Sequence, residues 1–155
     1  MKLKKIKRMV AVGTAILMTL SLAGCGIGSD SVKLGAAGVG GGYYAFSNAF
    51  AQIASSEDED LDFEVKATAG SMANIRLLSD GYVDMAIAQA DLVDAAYNGT
   101  GATDKKRYRG YSAVASLYTE ACQIVVRADS GIDSLDDLQG KKISVGEEES
   151  GTQRN

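Results

Sequence analysis

The sequence predicts an α/β fold built on a parallel sheet with crossover helices, preceded by an export leader. Three observations predict it. Beyond residue 31, short apolar runs and amphipathic runs alternate as β-α-β-α-β-α, the order of parallel strands joined through helices. Three of the strand-to-helix junctions share one design, an apolar run, then small or polar residues, then a helix start. The first 25 residues stand apart, being basic, then apolar, then small, and ending in a cysteine.

The leader comes first. MKLKKIKRM carries Lys2, Lys4, Lys5, Lys7 and Arg8, and VAVGTAILMTLSLAG after it has no charge. That apolar run is too short and wrongly flanked for a membrane span and reads as a secretory signal over residues 1–24. Leu22-Ala23-Gly24-Cys25 looks like a bacterial lipobox, which predicts cleavage before Cys25 and lipid on its thiol and new amino group. Residues 25–31 are small and polar, a tether between the lipid and the fold.

The folded elements follow in order. Residues 32–37 read as a short strand, and after GVGGG a helix is predicted over 43–55, with Tyr44, Phe46, Ala49, Phe50 and Ile53 toward a core. FEVKA (63–67) alternates as a second strand. A second helix opens at Gly70-Ser71, with Ser71 as N-cap, Ile75, Leu77 and Leu78 as its apolar face, and Gly81 as its stop. VDMAIA (83–88) is a third strand, and Asp91 is expected to cap a third helix that runs out at Asn98-Gly99-Thr100-Gly101. A basic, polar loop spans 102–110. YSAVASLY (111–118) and ACQIVVRA (121–128) then read as two strands separated by Thr119-Glu120, and residues 134–138 as one helical turn ended by Gly140. KKISVG (141–146) reads as a further strand, and 147–155 as a polar loop opening toward a helix.

Composition narrows the chemistry. Without the leader the chain keeps 11 basic against 20 acidic side chains, a formal charge near −9 that argues against nucleic acid or anionic lipid as partner. The acidic run Glu57-Asp58-Glu59-Asp60 lacks the spacing and turn glycine of an EF-hand loop and reads as a solvated loop. No histidine occurs, which removes histidine-dependent triads, the usual zinc sites and the commonest general base; no metal or cofactor is expected. With Cys25 lipidated, Cys122 has no intrachain disulfide partner, and its place in an apolar run predicts burial.

The three junctions are where chemistry is expected. In an open α/β sheet they lie at the carboxyl edge of the strands, where ligands bind, and the helix starts there offer N–H groups and a partial positive charge. Glycines at 40–42 let the main chain approach a ligand, and Tyr43 or Tyr44 supplies an aromatic face or a phenolic hydroxyl. A dinucleotide fingerprint is a poor fit: G-x-G-x-x-G begun at Gly38 requires glycine where Tyr43 stands, and begun at Gly40 it meets Gly42 but ends on Ala45, only a permitted variant, in a chain whose export leader takes it away from nicotinamide cofactors.

GAAGVGGGYYAFSNAFAQI, ATAGSMANIRLLSDGYVDMAIAQADLVDAAYNGTG, ASLYTEACQIVVRADSGIDSLDDLQGKKISVG and SGTQRN together resemble the TAXI-type solute receptors of TRAP transporters, from about Val32 to the last residue. The resemblance implies a type II periplasmic-binding-protein fold whose two lobes close on a small solute, a carboxylate or an amino acid such as glutamate, and deliver it to a TRAP membrane permease. It assigns residues 32–118 to a first lobe and 119–155 to the start of a second, left incomplete at Asn155, so that closure around a solute is not expected of this chain alone. Carried over, the ligand-binding positions are Gly41, Gly42, Tyr43, Tyr44, Ser71, Met72, Asn74, Gln89, Asp91, Tyr118, Ser150, Gly151 and Thr152. Gln89 and Asn74 each offer donor and acceptor, Asp91 either pairs an ammonium or caps its helix, and Ser71 either binds or caps. Arg127, a natural carboxylate clamp, is expected at the far end of its lobe, away from the cleft. An ABC-type importer would use the same lobe architecture. An exported enzyme or adhesin is the reading from another class, disfavoured by the absent histidine and the absence of all-β patterning.

Overall fold

The computed structural model describes residues 31–101 and 105–154. The expected leader, Cys25 and the tether as far as residue 30 lie outside the described residues. From Ser31 onward the chain packs as one unit.

Three short strands, β1 (Val32–Gly35), β2 (Phe63–Lys66) and β3 (Met85–Ala86), form a parallel sheet in the order β2-β1-β3. Val32 pairs with Phe63 and Gly35 with Lys66 on one side of β1, and Leu34 pairs with Met85 on the other. β3 is shorter than the predicted 83–88, yet bonds from Asp84 N–H to Lys33 O (2.9 Å) and from Ile87 N–H to Gly35 O (3.1 Å) carry the pairing past both its ends. The crossovers are α1 (Gly42–Glu57) and α2 (Ser71–Ser79), and α3 (Ala90–Asn98) follows β3. Because β2 and β3 flank β1 on opposite sides, the carboxyl end of β1 lies at the reversal of strand order.

α1 does not bury the face its apolar pattern predicts. Phe46 and Phe50 are 36% exposed and Ile53 is 62% exposed, whereas Ser47 is fully buried. The inward face runs through Ser47, Ala51 and Ala54, residues small enough to bring the helix close to a sheet of three short strands. The displaced aromatic rings pack on one another: Phe46 stacks on Phe50 at 6.4 Å, and Phe50 meets the edge of Phe63 at 5.3 Å.

The main apolar cluster lies elsewhere. Ile75 of α2, Ala96 of α3 and Tyr108 are buried together, with Met72, Ala88, Leu92, Val93 and Tyr111 against them. The segment read as a polar loop thus supplies a core residue. Tyr108 N–H donates to Ala96 O (3.0 Å), and the Arg109 guanidinium lies 3.6 Å from the Tyr97 ring centroid.

Residues 111–118, 121–128 and 141–146 are not strands. A strand is stable where a neighbour takes up its N–H and C=O groups, and among the described residues no ladder runs beside these segments. Val114, Val125 and Ile143 are accordingly exposed, and so is Cys122, against the expectation of burial. The predicted helical turn is present as a 3-10 turn, Asp136–Leu138. The Asp137 carboxylate accepts from Ser134 N–H (2.9 Å), Ser134 Oγ–H (2.8 Å) and Asp133 N–H (3.1 Å), and these bonds hold it below the usual carboxylate range. One further turn, α4 (Gly151–Arg154), ends the described chain.

Candidate functional site

The segments that follow the three strands converge. β1 leads into Ala37 and the turn closed by Gly41 N–H to Gly38 O (3.0 Å), then into α1 at Gly42 and Tyr43. β2 leads to Ala69, Gly70 and Ser71, and β3 to Gln89. Tyr118, Glu120, Ser150 and the first residues of α4, Gly151 and Thr152, join them, and together these residues line a cavity of about 320 Å³.

Asn74 ties the three strand ends together beneath this cavity. It is fully buried. Its Nδ2 donates to Ala36 O (2.5 Å), to Ile87 O (2.7 Å) and more weakly to Gly35 O (3.3 Å), while its Oδ1 accepts from Thr68 Oγ1–H (2.7 Å). One side chain therefore bonds to the segments after β1, β2 and β3, and its donors are taken up by main-chain carbonyls.

The 147–153 segment is held on the start of α2. Glu149 O accepts from Met72 N–H (3.0 Å) and Ala73 N–H (3.4 Å), so part of the anion-attracting end of that helix is already occupied. The Glu149 carboxylate takes the Arg76 guanidinium with both oxygens, at 3.1 and 2.8 Å, and this bond holds its pKa below the ordinary glutamate value. Two close approaches require glycine. Gly70 sits at φ +120°, and a Cβ there would lie 3.3 Å from Ser150 Cα; a Cβ on Gly151 would overlap Gln89 Oε1. Ser71 is fully buried, and its Oγ accepts from Gln89 N–H (3.2 Å), which links the α2 start to the α3 start. Gln89 Oε1 itself is buried without a partner among the described residues.

The aromatic wall is coupled to a carboxylate. Tyr43 O–H donates to Glu120 at 2.5 Å, and its ring meets the Tyr118 ring at 6.5 Å, edge on. Burial and the Glu120 carboxylate push the Tyr43 phenol well above its ordinary pKa, so it stays protonated as a donor. Glu120 is the one charged side chain lining the cavity among the described residues.

Of the positions expected to bind, the structure brings Gly42, Tyr43, Ser71, Gln89, Tyr118, Ser150, Gly151 and Thr152 to this cavity. Gly41 closes the preceding turn and Tyr44 lies half-buried on α1 outside the cavity lining. Met72 packs in the Ile75 cluster, and Asn74 is spent on the main chain. Asp91 is exposed in the first turn of α3, whose N-cap is Gln89, and Ser71 is the first residue of α2 rather than its cap; neither helix has a side-chain cap bond. Arg127 is paired with Asp129 at 2.9 and 2.6 Å on the exposed surface and is not among the residues that line the cavity. Sequence reading missed Ala37, Ala69, Gly70 and above all Glu120, read only as a spacer. Its position two residues from Tyr118 was the available signal, since alternate residues of an extended chain share a side.

No helix among the described residues is long and apolar enough to cross a membrane. Residues 34–155 match the model of the NMT1-like family, which takes in every segment that lines the cavity. The chain belongs to the NMT1-like family, a family of periplasmic solute-binding proteins.

Proposed function

We propose that this protein is the extracytoplasmic receptor of a TRAP transporter of the TAXI type, anchored by lipid on Cys25 and capturing a small carboxylate or amino acid for a membrane permease. The observation that carries the reading is the cavity of about 320 Å³ at the carboxyl ends of three parallel strands, in a chain of a solute-binding family. Its walls combine hydroxyls, an amide and two tyrosine rings, groups that orient a small polar solute. Residues 32–118 form the first lobe in this reading, and 119–155 begin the second. Gly42, Tyr43, Ser71, Gln89, Tyr118 and residues 150–152 are the ligand contacts.

A thermal-shift screen against amino acids and small carboxylates tests it. Saturation at about 100 times the dissociation constant stabilises a binder by roughly 2.7 kcal/mol. That is a rise in Tm of roughly 10 °C for a domain of this size. A rise with members of these classes and not with sugars supports the receptor reading; no rise with any of them overturns it.

A further inference from the structure

We infer that the cavity selects solutes bearing a cationic amine, and that Glu120 is the residue that reads it. The inference rests on the receptor reading above and deepens it. The lining carries one carboxylate and, among the described residues, no basic side chain. The arginine nearest the α2 start, Arg76, is engaged by both oxygens of Glu149, and the Met72 and Ala73 N–H groups donate to Glu149 O. A solute whose only charges are carboxylates would therefore meet Glu120 without a side-chain cation to offset the repulsion.

An ammonium meets the opposite situation. Glu120 is fixed by the Tyr43 hydroxyl, which leaves its other lone pairs for a donor, and the Tyr43 and Tyr118 rings stand beside it with faces that attract a cation. Gln89 Oε1 adds a buried acceptor without a partner among the described residues. The carboxylate end of a zwitterion has its own place at Gly42 and Tyr43, the start of the sixteen-residue helix α1, which has no side-chain cap. Acceptor and helix start lie in one cavity, the pattern that suits an amino acid.

Calorimetric titration of the purified chain with two matched pairs tests this: L-norvaline against pentanoate, and L-glutamate against glutarate. Within each pair only the α-ammonium differs. The amine-bearing member is expected to bind about tenfold tighter or more, where tenfold is 1.4 kcal/mol. Glu120→Gln should remove most of that preference, weakening the amino acids and tightening the amine-free acids. Glu120 is exposed on the cavity rim, so the variant should fold, and an unchanged circular dichroism spectrum checks it. Equal or tighter binding of the amine-free acids, or a preference that survives Glu120→Gln, overturns the inference and leaves the receptor reading standing. Binding by none of the four, together with a flat thermal-shift screen, overturns both.

Discussion

Replacing Asn74 separates a structural from a ligand-contacting role. The side chain is fully buried and bonds to the segments after all three strands. Asn74→Ala leaves Ile87 O without the donor at 2.7 Å, whereas Ala36 O gains the Thr68 hydroxyl proton, 3.2 Å away, that Asn74 Oδ1 no longer takes up. An orphaned buried acceptor costs about 1–3 kcal/mol, and each of the other lost bonds about 1 kcal/mol. The total is about 3–5 kcal/mol, a large share of the roughly 5–15 kcal/mol that holds an ordinary domain folded. In urea melts followed by circular dichroism, the midpoint should fall by roughly 1.5 M with little change in slope. Asn74→Asp should be worse at neutral pH, because an ionised oxygen would face main-chain carbonyls. The introduced carboxyl then has a raised folded-state pKa, the folded state binds the extra proton, and the deficit relative to wild type should shrink as pH falls toward 5. A loss below about 0.5 kcal/mol for Asn74→Ala, accompanied by a loss of solute binding, would refute this reasoning and return Asn74 to the ligand.

Four further outcomes are expected. Ser47→Ala should leave stability unchanged or raise it, by up to about 1 kcal/mol in a thermal melt, because the buried Ser47 Oγ has no partner among the described residues; a loss above 1 kcal/mol would reveal a bond the hydroxyl makes. Gly151→Ala should cost about 1–3 kcal/mol in the melt, since its Cβ would overlap the buried end of Gln89 and crowd Ser71 Oγ, and should weaken solute binding by displacing that end within the cavity. The Arg76–Glu149 pair should stabilise the chain above the ordinary glutamate pKa and fade as pH falls through the lowered folded value. Both partners are partly exposed, so Glu149→Gln should cost no more than about 1 kcal/mol at pH 7 and little at pH 3. Cys122 should react with a thiol reagent in native buffer as fast as in denaturant, since it is exposed; slow native reaction would mean that the 121–128 segment is covered.

Local order was legible in the sequence because it is written locally. The β-α-β-α-β-α alternation set the parallel sheet and the helix positions. Asn98-Gly99 marked the end of α3, where Gly99 adopts φ +70°. The carboxyl edge followed from that alternation alone, and with it the convergence of Gly42, Tyr43, Ser71 and Gln89. What depended on partners distant in sequence was decided only by tertiary structure. The apolar stripe of α1 lost to Ser47, Ala51 and Ala54 because a narrow sheet rewards close approach. Asn74 passed from candidate ligand contact to main-chain staple because three strand ends, far apart in sequence, present their carbonyls to it. Tyr108 left a polar loop for the core. The runs 111–118 and 121–128 carry strand patterns without forming strands, since a pattern supplies side chains but not the neighbour that takes up the backbone bonds. Glu120 became the charge of the cavity through Tyr43, a residue 77 positions away.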